Sequence, residues 1–384
     1  MDYKSVSLFI LFLHNLLFAG LLVWHGRKNN LRSNYWLASF LFLAALYIVP
    51  FVLGYAGWYA VEWKRNILFY FPFQQLFLLP PVLYMYTKSL LEPKFTFKKI
   101  DLVYFIPAIL YSFYTFIVWI TDQVILGEYY FYDDGKDMDF DPWYQFAGFI
   151  YLLFFAALCI KAYLRYRNNT FQIYSYADAI LYIWLPRFII ALILLLLIRL
   201  CFFITNPEWA NFGQKYWYYV SFSILTYYIS INGYIHAVKL VPISWRNLKL
   251  AASEREDKPE YADQSNEGDL DLALKDSLVR LMEEEQFFSK PDLTLYDLAN
   301  ELDVHSRSIS QTINMGFDMN FNDYVNMHRT KEVMKRMQTE DLGVKSILGI
   351  AYDCGFNSKS TFNRAFKKYS NMTPSKYLAS IRKK

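Results

Sequence analysis

Cysteine is scarce in this 384-residue chain. The three present, Cys159, Cys201 and Cys354, have neither the pairing of a disulfide framework nor the spacing of a zinc site. Charge is also thin. Only 19% of residues are charged, against 55% hydrophobic and 20% aromatic, a combination foreign to a soluble protein of this length. Carboxylates are missing from two places in particular. From Cys354 to Lys384 there is no Asp or Glu beside eight Lys and Arg, a balance suited to a polyanionic partner. None lies deep in the apolar runs upstream of Pro242 either, which argues against a proton-coupled transporter, a class that relies on a buried carboxylate. Those runs also lack a nucleophile with its base, paired carboxylates and metal-ligand spacing. No enzyme, catalytic residue, metal or cofactor is therefore expected.

What the chain has in abundance is long apolar runs. Seven are long enough to cross a bilayer as helices: Ser5–Trp24, Tyr35–Tyr55, Ile67–Leu90, Leu102–Thr121, Trp143–Leu164, Phe188–Thr205 and Tyr216–Ala237. Lys and Arg in the short loops alternate as they should for a multi-pass membrane protein. Arg27, Lys28 and Arg32 follow the first run. Lys88, Lys94, Lys98 and Lys99 surround the end of the third, and Lys161, Arg165 and Arg167 the end of the fifth. The remaining loops offer only Lys64, Arg65, Lys136 and Lys215, and the loop before the fifth run is acidic through Glu128, Asp133, Asp134, Asp137, Asp139 and Asp141. Seven spans with the amino terminus outside put the carboxyl terminus in the cytoplasm. The first run reads as a retained anchor, because its apolar stretch is too long for a signal peptide and no small-residue cleavage site follows.

Polar residues inside the runs are few, so each is a candidate for sensing. Arg199 sits in LLLLIRLCFFI, where an unpaired charge is expensive and faces a bundle interior or a watery cavity. It is read either as an anion site or as a structural donor to carbonyl groups. Gln74 and Gln75, with Pro80 and Pro81 after them, suggest a kinked helix that exposes amides to a central space. His14 and Asn15 read as glue between helices in preference to a ligand site, and the acidic Glu128–Asp141 loop as a solvated segment obeying the charge rule in preference to a site for a cation or a basic peptide.

After Pro242 the composition changes. Ser244 to Gly268 is polar and lacks sustained apolar periodicity, a linker whose root-mean-square span is around 25 to 30 Å if flexible. The division is 1–240 membrane domain, 241–269 charged linker and 270–384 terminal domain. Asp271–Phe288 reads as an amphipathic opening helix with Leu272, Leu274, Leu278, Leu281 and Met282 for the core. In IAYDCGFNSKSTFNRAFKKYSNMTP, Ile350 to Pro374, the residues Ile347, Ile350 and Ala351 share a buried helix face, and Gly355 permits a positive φ at a sharp turn. Phe356 plugs the corner, Ser358 caps a new helix, and Phe362 with Phe366 form its inward face. Lys359, Ser360, Thr361, Asn363, Arg364, Lys367 and Lys368 are left to face outward, with the hydrogen-bonding and cationic groups that base edges and phosphates require. Thr373 and Pro374 open a closing helix as N-cap and first residue.

A second unit of this kind lies upstream. Leu295, Leu298, Ala299 and Leu302 form one face of a short helix, Asp303 occupies the turn, and Ser306–Asn314 follows with Ile309 and Ile313 inward. Arg307, Ser308, Ser310, Gln311 and Asn314 face out, and Phe321–Gln338 reads as one helix joining the two units. Together these features resemble the DNA-binding domain of the AraC/XylS family of bacterial transcription regulators. The resemblance covers under a third of the chain. It departs from the family pattern at Asp303 and Asn371, where glycine is usual, though both residue types tolerate left-handed geometry.

The resemblance implies a domain of seven helices whose two helix-turn-helix units enter successive major grooves on one DNA face. Arg307, Ser310 and Gln311 fall where the first reading helix meets bases, and Lys359, Ser360, Thr361 and Arg364 where the second does. The expected architecture is all-α, a seven-helix transmembrane bundle followed by a cytoplasmic seven-helix domain. The expected function is a one-component regulator in the bacterial inner membrane, with promoter DNA and the bilayer as partners. RNA polymerase, an unidentified signal and a second copy of the chain are further candidates. Two alternatives stay open: a transporter or channel with a fused regulatory domain, and a membrane adaptor whose terminal domain binds protein.

Overall fold

The structure is a computed structural model describing residues 3–92, 95–132, 138–181, 184–205, 215–239, 271–339 and 345–382. The linker expected over 241–269 and the acidic residues Asp133, Asp134 and Asp137 lie outside the described residues, as do Lys94 and Lys136. Among the described residues the chain is all-helical, as expected, with no strand beyond an isolated bridge. They form two compact units, Met1–Tyr163 with Tyr182–Asp257, and Leu164–Leu181 with Lys258–Lys384. Residues 164–181, which the sequence division assigns to the membrane half, thus group with the terminal helices.

The first unit begins with α1 (Tyr3–Asn29) and α2 (Arg32–Tyr55), which pack on each other through a turn at Asn30, φ 52°. Next come α3 (Glu62–Tyr70), α4 (Leu79–Leu91), α5 (Ile106–Trp119) and α6 (Pro142–Ile173), whose residues 164–173 belong to the second unit together with the short α7 (Ala177–Ile180); α8 (Trp184–Thr205) and α9 (Tyr216–Lys239) complete the first unit. Among the described residues five helical stretches are long and apolar enough to cross a membrane: Tyr3–Asn29, Arg32–Tyr55, Lys99–Leu126, Pro142–Ile173 and Trp184–Thr205. The seventh run is also one helix, α9, but its tyrosines and serines keep it outside that set.

The third run differs from expectation. Instead of a kinked helix, it is broken between α3 and α4 over residues 71–78. Pro72 cannot donate a backbone hydrogen bond, and side chains satisfy the exposed backbone that follows. Gln74 N donates to the Asp139 carboxylate at 3.0 Å and Leu76 N to Tyr144 Oη at 3.1 Å, while Tyr144 Oη donates to Gln74 O at 2.6 Å. Gly148 faces this break so closely that a Cβ there would stand 2.6 Å from Leu76 Cβ.

In the second unit, α10 (Leu272–Glu283) is shorter than the expected Asp271–Phe288. It ends before Gln286, whose φ of 49° is left-handed, and a short 3-10 turn at Phe287–Ser289 follows. Leu274, Leu278, Leu281 and Met282 are buried as expected, whereas Leu272 is exposed. The rest is α11 (Leu295–Glu301), α12 (Ser306–Phe317), α13 (Phe321–Thr339), α14 (Ile347–Asp353), α15 (Lys359–Ser370) and α16 (Pro374–Ile381). There are two cores, not one. Phe321, Tyr324 and Val325 at the start of α13 join α10 to α12, while Val333 and Met337 near its end join α14 and α15. A single strut, α13, therefore carries two small lobes.

Candidate nucleic-acid interface and buried polar cluster

The second lobe is built by short-range rules. Gly355 takes φ 92°, and a Cβ there would meet Phe288 O at 2.7 Å and Ser289 O at 2.8 Å, so the turn is closed to any larger residue. Ser358 caps α15 through Thr361 N at 3.2 Å. Phe356, Phe362 and Phe366 are buried with edge-to-face rings, which fixes the outward face of α15 by elimination. Thr373 caps α16, and Pro374 opens it. In the first lobe Thr294 and Asp297 form a reciprocal cap, with Thr294 N donating to Asp297 at 2.7 Å. Asp303 has φ 50° and Asn371 φ 56°, so both non-glycine substitutes adopt the left-handed geometry.

On α15, Lys359, Ser360, Asn363, Arg364, Lys367 and Lys368 are exposed. Thr361 is not. It is 4% exposed, and its hydroxyl lies 2.9 Å from Ser358 Oγ, so it serves the cap and is withdrawn from the outward face. Lys368 pairs with Asp323 of α13 at 2.8 Å, and Tyr369 Oη donates to Asp323 O, tying α15 to the strut. On α12, Arg307, Gln311 and Asn314 are exposed and Ser308 and Ser310 half-buried. Arg364 donates from Nη1 and Nη2 to the two carboxylate oxygens of Asp178, and Gln172 Nε2 donates to Asn314 Oδ1 at 3.4 Å.

The strut holds buried groups that sequence reasoning missed. Arg329 is 1% exposed, and its guanidinium donates to Phe288 O at 2.8 Å and Lys290 O at 2.7 Å. Burial lowers its pKa, and the carbonyl oxygens supply the solvation that water would otherwise give. Asn322 Nδ2 donates to Tyr174 O at 3.1 Å and Ser175 O at 2.8 Å. His328 is 5% exposed, and burial, with Lys331 beside it, pulls its pKa down to about 4. A polar i, i+4 stripe within an otherwise buried helix (Asn322, Asn326, Thr330) is the one sequence signal that could have marked this face. Asp178 had a signal too, as an acid in a loop the charge rule makes basic.

The first unit brings together two of its three expected polar residues. Arg199 is 2% exposed, and its Nη2 donates to Gln145 O and Gln145 Oε1, each at 2.8 Å. Gln145 Nε2 donates to Gln74 Oε1 at 2.8 Å, and Gln74 Nε2 to Tyr219 Oη at 2.8 Å. Gln75 stands apart, bonding Pro72 O locally. Asp139 corrects the solvated reading of the acidic loop: it is 3% exposed and accepts from Tyr111 Oη at 2.6 Å as well as from Gln74 N. Carboxylates absent from the runs thus reach the interior from a loop. A cavity of about 30 Å³, room for a water-sized guest, lies beside Arg199 among Tyr47, Leu76, Gly148 and Tyr218.

A family model described as a helix-turn-helix domain matches residues 298–380. The chain is 46% identical over 55 residues to the probable transcription factor PqrA of Proteus vulgaris, a match covering 14% of this chain and 43% of that relative. The chain thus spans less than half the length of that curated relative. A solved structure of a protein of unknown function from Listeria innocua aligns with 21% identity and a TM-score of 0.25, covering 29% of this chain and 98% of the other.

Proposed function

We propose that this chain, whose C-terminal part is an AraC-type helix-turn-helix domain, is a membrane-held one-component transcription regulator that binds promoter DNA with α12 and α15. The observation that carries the reading is the outward face of α15. Three lysines, an arginine, an asparagine and a serine, namely Lys359, Lys367, Lys368, Arg364, Asn363 and Ser360, stand exposed there on a helix without carboxylates, beside a second such helix on the same strut. Cationic groups attract the duplex, and amide and hydroxyl groups read it. On α12, Arg307, Gln311 and Asn314 are the proposed readers, with Ser308 and Ser310 beside them. The likeness to the Proteus relative, a probable transcription factor, supports the same reading.

The membrane role rests on the five long apolar helices and on the alternation of Lys and Arg between the runs. The proposed topology has the amino terminus outside and the DNA-binding domain on the cytoplasmic face. We assign the sensing role to the Arg199, Gln145 and Gln74 cluster and leave Gln75 out of it. DNA must then come to a protein held near the bilayer.

The test is to incubate the full-length chain in lipid nanodiscs with sheared genomic DNA of its source at near-physiological salt and sequence what is retained. A recurring site establishes the regulator. Retention that shares no site, and that survives Lys359→Ala and Arg364→Ala, overturns it in favour of an adaptor.

A further inference from the structure

The outward faces of α12 and α15 are covered in part by the chain's own residues 171–178. This segment belongs to the same compact unit as the reading helices. Its anchor is Ser175, which is fully buried and donates from its backbone N to Leu293 O at 3.1 Å, while Tyr174 and Thr294 form an antiparallel bridge. The strut holds the other side of the anchor. Asn322 donates to the carbonyl oxygens of Tyr174 and Ser175, and Arg329 Nη2 to Ser175 Oγ at 3.2 Å. Mostly backbone groups are engaged, by side chains already rigid in the strut, so the segment is docked at a made-to-fit position.

From that anchor the segment reaches both reading helices. Gln172 bonds Asn314 of α12. The Arg364 guanidinium of α15 lies over the Phe171 ring, 5.7 Å from its centre, and is held by both carboxylate oxygens of Asp178. We propose that Phe171–Asp178 is an internal competitor of DNA, which occupies Asn314 and Arg364 in the resting chain and must leave before the two helices can enter their grooves. The inference rests on the DNA-binding reading above. A guanidinium whose end-on fork is filled by a carboxylate cannot offer that fork to a phosphate or a guanine edge, and Asp178 sets a negative charge where the duplex would bring its own.

The sequence position of the segment gives the competition a use. Helix α6 runs unbroken from Pro142 to Ile173, through one of the five long apolar stretches, and ends at the docked residues. A shift or rotation of α6 is transmitted to Phe171 and Gln172 directly, by helix continuity. Control of DNA access therefore does not have to pass through the linker.

The experiment compares the full-length chain in nanodiscs with its Asp178→Asn and Arg364→Ala variants, and with Asp276→Asn as an exposed control carboxylate on α10. Binding of a random-sequence duplex pool and amide exchange over residues 171–178 are both measured. Asp178→Asn is expected to bind DNA about two- to fivefold tighter than the parent, the range of one partly exposed ion pair. Asp276→Asn is expected to leave binding unchanged, and saturating DNA to speed exchange at the Ser175 amide in the parent. Equal binding by the parent and Asp178→Asn, or exchange over 171–178 that saturating DNA does not alter, overturns the competition while the DNA-binding reading stands. If no form of the chain retains DNA, the reading of the domain fails first, and the competition fails with it.

Discussion

Replacing Gly355 by alanine tests how the second helix-turn-helix is closed. Two penalties add. Alanine at φ 92° is strained, a cost of about 1–3 kcal/mol for a non-glycine residue in such a region. Its Cβ would also stand 2.7 and 2.8 Å from the carbonyl oxygens of Phe288 and Ser289. Those are backbone atoms, and Phe288 O is further fixed by the bond from Arg329 Nε, so relief requires moving the 3-10 turn of the first lobe. Overpacking of this kind adds about 1–3 kcal/mol. The sum, roughly 2–6 kcal/mol, is a large share of a small domain's stability of about 5–15 kcal/mol. Gly57→Ala separates the two parts, because Gly57 has φ 84° with nothing within 4 Å of its would-be Cβ, so only the backbone term applies. Amide exchange measured by mass spectrometry on the full chain reads both. In Gly355→Ala, peptides covering α14 and α15 should exchange at least about thirtyfold faster, the equivalent of about 2 kcal/mol, and Phe287–Ser289 should loosen with them. Exchange within about fivefold of the parent over α14 and α15 would refute the steric argument.

Other expectations concern single groups. Lys367→Ala should weaken binding about evenly across DNA sequences and reduce the slope of log affinity against log salt by about one, checked by titration at several salt concentrations. Ser358→Ala removes the α15 cap and should cost about 1 kcal/mol, seen as faster exchange in the first turn of that helix. Arg199→Met leaves Gln145 O and Oε1 without their donor in a buried site, a loss of about 1–3 kcal/mol per orphaned acceptor, so the detergent-solubilised chain should melt at lower temperature; an unchanged melting temperature would show those bonds to be dispensable. His328 stays neutral in the folded chain down to about pH 4, whereas the unfolded chain takes up that proton below pH 6.5. Between these values the unfolded state binds more protons, so stability is full above the upper one and declines as pH falls, by on the order of 3 kcal/mol across the window. His328→Gln should flatten that part of the curve in denaturant titrations of the terminal helices.

The sequence by itself determined what depends on neighbours within a turn or two of chain. The apolar runs, the caps at Ser358 and Thr373, the left-handed positions Asp303, Gly355 and Asn371, and the inward faces of α12 and α15 all follow from helical periodicity and single-residue backbone preferences. The six exposed residues of α15 were legible for that reason. What the sequence misread depends on partners far away in the chain. Thr361 has the right type and spacing for the outward face, but a cap hydroxyl and the packing of α15 bury it. The third run has the composition of one helix, yet Pro72 breaks it because Asp139 and Tyr144, from another part of the chain, stand ready to satisfy the freed backbone. Arg199 meets Gln145, 54 positions away, and Asn322 meets Ser175, 147 positions away. Hydrogen bonds of that range leave no period in the sequence, since any donor and acceptor will serve once the fold brings them within about 3 Å. Only the tertiary structure decided that Gln74 joins the buried cluster while Gln75 does not, and that Arg364, read as a DNA contact, meets Asp178 of its own chain.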